Sequence, residues 1–233
     1  MSNRFDGHAP VYNQLLDAAI GASGENGHFF ADLKASLLAR EIGPSASVSI
    51  LDFGCGIGNS TRALERHFAK ASVLGCDPST ESIRHARELA SRGGRATYVH
   101  LTDPDLPWPT ATFDVVFTSN VLHHIDRPTH AVVSAEFRRV VKPGGSVFVF
   151  EHNPYNPLTR RVVAACPFDR DAVLLPPRYL KGVLQHAGLR PEAPQFYFFF
   201  PNALARLRLL ERYLRRVPFG AQYFVRARRS SER

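Results

Sequence analysis

The sequence predicts a doubly wound α/β sheet, and three observations carry that prediction. Short apolar runs recur from about residue 48: VSILDF (48–53), ASVLGC (71–76), ATYVHL (96–101), FDVVFTS (113–119) and SVFVFE (146–151). They are rich in β-branched and aromatic residues and do not alternate with polar ones, as strands buried on both faces of a parallel sheet require. Between them lie STRALERHFA, TESIRHARELAS and THAVVSAEFRRVV, whose apolar positions fall at helical spacing. The joints agree: Asn59, Ser60 and Thr61 offer side-chain oxygens to a helix start, and Lys142-Pro143-Gly144-Gly145 reads as a stop before the next strand.

Residues 1–45 form a helical extension ahead of this repeat, and residues 46–152 are the core. After Glu151 the rhythm changes. HNPYNPLTRRVVAACPFDRD reads as a proline-rich loop around a short helix, and PPRYLKGVLQHAG as a helix closed by Gly188. Two late strands are expected, QFYFFF (195–200) and AQYFVRARR (221–229), so residues 153–233 combine insertions with the end of the sheet. With no internal repeat or linker, the chain of 233 residues reads as one domain.

Composition excludes several classes. A hydrophobic content of 44% supports a sizeable core and excludes disorder as the default. Cys55, Cys76 and Cys166 form no CxxC pair, so no disulfide framework or cysteine metal site is expected, and no metal ligands are nominated. No stretch of about 18 apolar residues and no secretory h-region is present, which points to a soluble, cytoplasmic protein. The net charge of +8 is unevenly spread: residues 1–150 carry −1 and residues 151–233 carry +9.

The most informative segment is Leu51-Asp52-Phe53-Gly54-Cys55-Gly56-Ile57-Gly58-Asn59-Ser60, where the first strand turns into the first helix. Glycines there let the backbone approach a ligand, and a helix N-terminus offers N–H groups to it. A dinucleotide fingerprint would be G-x-G-x-x-G, but its third glycine position is Asn59; the spacing is G-x-G-x-G. Asp77 ends the second run, where a carboxylate can accept hydrogen bonds from both hydroxyls of a ribose.

From Val48 to Glu151 the chain resembles the class I S-adenosylmethionine-dependent methyltransferases. LDFGCGIGNST resembles their first motif, GCDPS the acidic second, LPWPTATFDVVFTSNVLHHI the stretch around the fourth strand and KPGGSVFVFEHNP that around the fifth. The resemblance implies a Rossmann-like, mostly parallel seven-stranded sheet with an antiparallel last strand, and S-adenosyl-L-methionine as cofactor. Gly54, Cys55, Gly56 and Gly58 would border its methionine part, with Asp52 near the ammonium end and Asp77 on the ribose. Pro78, Thr102 and Asp103 would flank adenine, while Asn120 and Val121 close the pocket. Thr102 stands where relatives commonly carry an acid. Tyr12 and Phe5 belong to a segment resembling the family's N-terminal cap.

Methyl transfer from a sulfonium needs alignment and exclusion of water, and a base only where the acceptor must lose a proton. His123, His124, Glu151 and His152 follow strand ends, where open α/β sheets place ligands; His124, Glu151 and His152 are the catalytic candidates, with packing or hydrogen bonding as the structural alternative. Asn153-Pro154-Tyr155 is a poor match to the NPPY motif of amino-group methyltransferases, since it has one proline and follows the fifth strand. Residues 203–217, ALARLRLLERYLRRV, form an amphipathic helix on a wheel, with Leu204, Leu207, Leu210, Leu214 and Val217 opposite Arg208, Arg212, Arg215 and Arg216. Either it packs on the sheet with its arginines solvated, or it meets a phosphate-bearing or lipid-linked acceptor or an anionic membrane. Nucleic acid is a weaker partner, and the oligomeric state is not encoded. The expected activity is methyl transfer to an O, N or C atom of a small or lipid-like acceptor. The rivals are an NAD(P)-dependent oxidoreductase and a non-catalytic relative that keeps the cofactor site.

Overall fold

A computed structural model describes residue 7 and residues 11–103, 105–167, 169 and 171–231; Phe5 lies outside them. Five strands run parallel. β1 (Ser49–Phe53) lies between β2 (Ser72–Asp77) and β4 (Phe113–Ser119), with β3 (Thr97–His100) beyond β2 and β5 (Val141–His152) beyond β4. β8 (Gln222–Arg228) joins β5 antiparallel, from Ser146 opposite Arg228 to His152 opposite Gln222. Its other edge carries two short segments, β6 (Arg190–Pro191) and β7 (Gln195–Tyr197). Together they fill one edge position, interrupted where Pro194 lacks a donor, so the sheet is seven positions wide.

Both faces of the sheet are covered, which is why the apolar runs do not alternate. Ile50, Val115, Phe117, Phe148 and Phe150 bury with residues of α2 (Gly27–Ile42) and α3 (Asn59–His67). Leu51, Phe53, Val116, Val147 and Val149 bury on the other face with α5 (His130–Val140) and α7 (Pro177–His186). Each such side chain contributes about 1.5–3 kcal/mol on leaving water. α4 (Thr80–Ala90) packs on β2 and β3 and is capped by Ser79, whose Oγ accepts from the Ser82 N–H at 3.1 Å. Among the described residues no helix is long and apolar enough to cross a membrane.

Three local expectations are corrected. Residues 142–145 are a bulge inside β5 rather than a stop before it: Phe113 pairs with Val141 but Val115 with Ser146. The strand expected over 195–200 ends at Tyr197, because Phe198 turns to φ +57°. The amphipathic helix over 203–217 is not continuous either. Asn202–Leu210 forms 3-10 turns, with Leu204 non-helical at φ −115° and ψ 24°, and only Glu211–Leu214 (α8) is α-helical.

Tertiary bonds win over the wheel. The Glu211 carboxylate accepts the N–H groups of Phe198, Phe199 and Phe200 at 3.0, 2.8 and 3.1 Å. Arg208 is held between the rings of Phe29 and Phe198 and donates to Glu25 at 2.7 Å and to the Phe200 carbonyl at 2.9 Å. The arginine expected in solvent is therefore tied down, while Leu204, Leu207, Leu209 and Leu210 are exposed.

Asn153-Pro154-Tyr155 is built for structure. Asn153 is fully buried; its amide donates to the carbonyls of Pro218 at 3.0 Å and Gly220 at 2.7 Å, and its oxygen accepts from the Tyr155 N–H at 3.0 Å. Asn156 then caps α6 (Pro157–Ala165) by accepting from Leu158 and Thr159. Asn153→Ala leaves the buried Gly220 carbonyl and the part-buried Pro218 carbonyl without that donor, so urea denaturation should show a loss of about 1–3 kcal/mol with an unchanged native far-ultraviolet spectrum. A loss below about 0.5 kcal/mol would contradict this role.

Candidate functional site

Strand order reverses between β1 and β4, and helices diverge to opposite faces there, leaving a crevice at the carboxyl ends of the strands. The ends of β1, β2, β4 and β5 and the residue after β3 open onto one cavity of about 900 Å³. α1 (Tyr12–Ile20) and α2 supply one wall, and α6 with the segment after β7 another.

The three glycines of the first loop all have positive φ, but for different reasons. A Cβ on Gly54 would collide with the Val121 side chain, and one on Gly58 would stand 2.7 Å from the Tyr98 hydroxyl. A Cβ on Gly56 would meet nothing within 4 Å. Gly54 and Gly58 are thus demanded by packing, whereas Gly56 presents bare backbone to the cavity it lines. Gly58 itself does not border the cavity.

Asp77 holds this loop. Its carboxylate accepts the Gly56 N–H at 2.8 Å and the Ser79 N–H at 2.9 Å, joining the loop to the start of α4, and it lines the cavity. The caps expected from Asn59 and Thr61 are spent elsewhere: the Asn59 side-chain oxygen accepts from Arg62 at 2.7 Å and the Thr61 hydroxyl donates to Asp52 at 2.6 Å. Asp52 lies behind the loop, 1% exposed and off the cavity. Burial raises its carboxyl to about 7, against the Thr61 hydrogen bond.

Cys55, Pro78, Asn120 and Val121 line the cavity, and the buried Cys55 thiol is pushed up by loss of water. Asn120 turns to φ +57° directly after β4, and its buried Oδ1 has no hydrogen-bond partner. Thr102 and Asp103 stand outside, exposed and bonded to each other at 3.0 Å; Leu101 lines the wall near them instead.

The histidine region differs from the expectation at Glu151. That carboxylate is fully buried and does not reach the cavity. It accepts from the Leu122 N–H at 3.0 Å and meets His123 Nδ1 at 2.6 Å. Burial alone would lower the His123 imidazole, but Glu151 and Asp169 reverse this and raise it to about 9. His124 and His152 do line the cavity. Burial lowers both, His152 to about 3 with His123 adding to the effect, so His152 is a neutral hydrogen-bonding group and a weak base.

Two cavity residues escaped the sequence reading. Lys34 of α2 is buried, and its ammonium donates to Ser119 Oγ at 2.7 Å; burial lowers it to about 8, opposed by Glu151 and Asp52. Its signal was legible: a single lysine in the apolar stripe of Phe30, Ala31, Ala35 and Leu38. Asp169 carried no such signal, because it lies in a proline-rich loop far along the chain from the histidines it meets, 3.2 Å from His124 Nε2.

The glycine assignments make a paired prediction. Gly56→Ala should cost only about 1 kcal/mol, as an alanine at positive φ does, while abolishing ligand binding in the cavity by calorimetry. Gly54→Ala should cost more than about 3 kcal/mol through its collision with Val121. Equal destabilisation of the two variants would refute the distinction.

Residues 50–145 match the family model described as "Methyltransferase domain". The chain is 32% identical over 133 residues to a trans-aconitate 2-methyltransferase of Azoarcus sp., covering 56% of this chain and 49% of that protein. It is 36% identical over 131 residues to a demethylmenaquinone methyltransferase of Tropheryma whipplei, covering 56% and 50%. The matched stretch thus spans about half the length of these curated relatives. A putative methyltransferase in complex with the Haloferax volcanii Trm112 activator shares the fold, with a TM-score of 0.70, 19% identity and 99% of each chain covered. Over residues 50–145 the chain is similar to methyltransferase domains, and over nearly its whole length it shares the fold of that solved structure.

Proposed function

We propose that the chain is a methyltransferase that binds S-adenosyl-L-methionine and moves its methyl group to an O, N or C atom of a small or lipid-like acceptor. The observation that carries this reading is the pairing of Gly56, bare on its cavity side, with the Asp77 carboxylate that fixes it. Gly54, Cys55 and Gly56 would border the methionine part, Asp77 would accept the ribose hydroxyls, and Pro78 and Leu101 would flank adenine. Asn120 offers an unpaired oxygen and Val121 closes the floor. Lys34 would pair with a carboxylate, that of the cofactor or of an acidic acceptor.

A sulfonium already carries the charge that leaves with the methyl group, so these residues act by alignment and by keeping water out. His124 and His152 border the acceptor space as hydrogen-bonding groups that would orient the accepting atom. Glu151, which does not reach the cavity, acts through His123. Leu16, Ile20, Val162, Val163, Phe198 and Phe199 line the rest, an apolar wall suited to an apolar acceptor. The relatives' names, trans-aconitate and demethylmenaquinone methyltransferase, span that small to lipid-like range.

Calorimetry with S-adenosylhomocysteine should give saturable binding and NAD(P) none. Asp77→Ala should weaken binding by about 1.5–3 kcal/mol, through lost hydrogen bonds and a loosened glycine loop. Binding of NAD(P) instead would favour the oxidoreductase, and cofactor binding without turnover on an acceptor panel would favour the non-catalytic relative.

The exposed Leu204, Leu207, Leu209, Leu210 and Tyr213 stand among Arg206, Arg212 and Arg216, next to Pro201 at the cavity. Apolar tips among arginines suit the surface of an anionic membrane, where each basic residue contributes about 1 kcal/mol. The chain should co-sediment with vesicles containing phosphatidylglycerol, and Leu209→Asp with Tyr213→Asp should release it. Equal sedimentation of the double variant would refute the contact.

A further inference from the structure

Behind the acceptor side of the cavity, three ligand atoms from distant parts of the chain converge. His123 Nε2 and His124 Nε2 lie 3.1 Å apart. Asp169 Oδ1 lies 3.2 Å from His124 Nε2 and 3.6 Å from His123 Nε2. A divalent ion with bonds of about 2.0–2.2 Å separates its ligand atoms by about 3.0 Å at right angles and about 3.4 Å at tetrahedral angles. Two edges of the triangle, 3.1 and 3.2 Å, fall within that range, and the third, 3.6 Å, lies just above it.

Hydrogen bonds satisfy it only by sharing one proton: with His123 Nε2 unprotonated, the His124 Nε2–H must divide itself between Asp169 Oδ1 and His123 Nε2. If both Nε2 atoms are protonated and donate to Asp169, two N–H groups face each other at 3.1 Å. If His123 donates to His124 instead, the lone pair of His124 Nε2 is taken up and faces the Asp169 carboxylate, with no proton between acceptors 3.2 Å apart. A cation at the centre satisfies all three edges at once.

The surroundings add a second, independent feature. Glu151 Oε2 sits 2.6 Å from His123 Nδ1, on the far side of the ring from the triangle. A carboxylate there fixes the Nδ1–H tautomer and turns the Nε2 lone pair toward the triangle, as outer carboxylates do for metal-bound histidines. Glu151 and His123 are both fully buried, so the arrangement is rigid.

We propose that His123, His124 and Asp169 form a site for a divalent transition-metal cation at the wall of the cavity. Two imidazoles and one carboxylate favour zinc, iron, cobalt or manganese over calcium and magnesium, whose preference is for oxygen. Because His124 and Asp169 line the cavity, the cation meets its contents and would take an oxygen-bearing acceptor, an enol, phenol or carboxylate, as a further ligand. The site does not depend on the methyl-transfer reading.

The test uses the untagged full chain stripped with a chelator and titrated with cobalt(II), without cofactor or acceptor. One equivalent should bind with visible d–d bands of nitrogen and oxygen ligation, and zinc should displace it. His124→Ala and Asp169→Ala should each weaken binding at least about a hundredfold, and Glu151→Gln about 10–100-fold, as for outer partners of metal-bound histidines. Absence of a stoichiometric complex, or binding unchanged in His124→Ala and Asp169→Ala, would overturn the site. S-adenosylhomocysteine affinity, measured on the same metal-free samples, reports separately on the methyltransferase reading: Asp169→Ala should leave the Asp77 and Gly56 region able to bind it.

Discussion

Burial of both sheet faces is the constraint on which the rest of this molecule depends. Strands flanked by Phe117, Phe148 and Phe150 on one side and Leu51, Val116 and Val149 on the other leave no room for polar chemistry along their length. Polar groups can appear only where strands end and helices diverge, and the reversal of strand order between β1 and β4 opens that space on one edge. Every cavity group discussed above sits at a strand end or on an element folded over it.

Concentrating polar groups there is costly unless they are paired. The structure meets this by linking them. Asp52 takes the Thr61 hydroxyl, Asp77 takes two backbone N–H groups, Glu151 takes a backbone N–H and His123, and Lys34 is held by Ser119. The result is a strand-end layer whose side chains are fixed before any ligand arrives, which is what alignment of two reactants requires. Among the described residues of this layer, the buried Asn120 oxygen and the Thr118 hydroxyl have no hydrogen-bond partner of their own.

The parts added after β5 are less regular because their order comes from specific bonds instead of from packing on a sheet face. Arg208 between two phenylalanine rings, Glu211 on three successive N–H groups and Asn153 on the 218–220 turn each pin a segment that periodicity alone would read differently. The same bonds push a row of leucines outward, so the surface beside the cavity is apolar and basic together.

The sequence by itself determined the sheet and its glycine loop, since non-alternating apolar runs and positive-φ glycines are local consequences of two-sided burial and tight turning. It located the carboxyl ends of the five parallel strands to within about a residue and brought Gly54, Gly56, Asp77, Asn120, Val121, His124 and His152 to one region. Tertiary structure alone decided that Asp52, Thr102, Asp103 and Glu151 stand off the cavity and that Lys34 and Asp169 stand on it. Those outcomes depend on which way a side chain points after a strand ends and on contacts between residues far apart in the chain, and neither leaves a periodic trace. The broken helix over 203–217 has the same cause: a wheel records where apolar residues would lie in a helix, not whether Arg208 and Glu211 find stronger partners that forbid it.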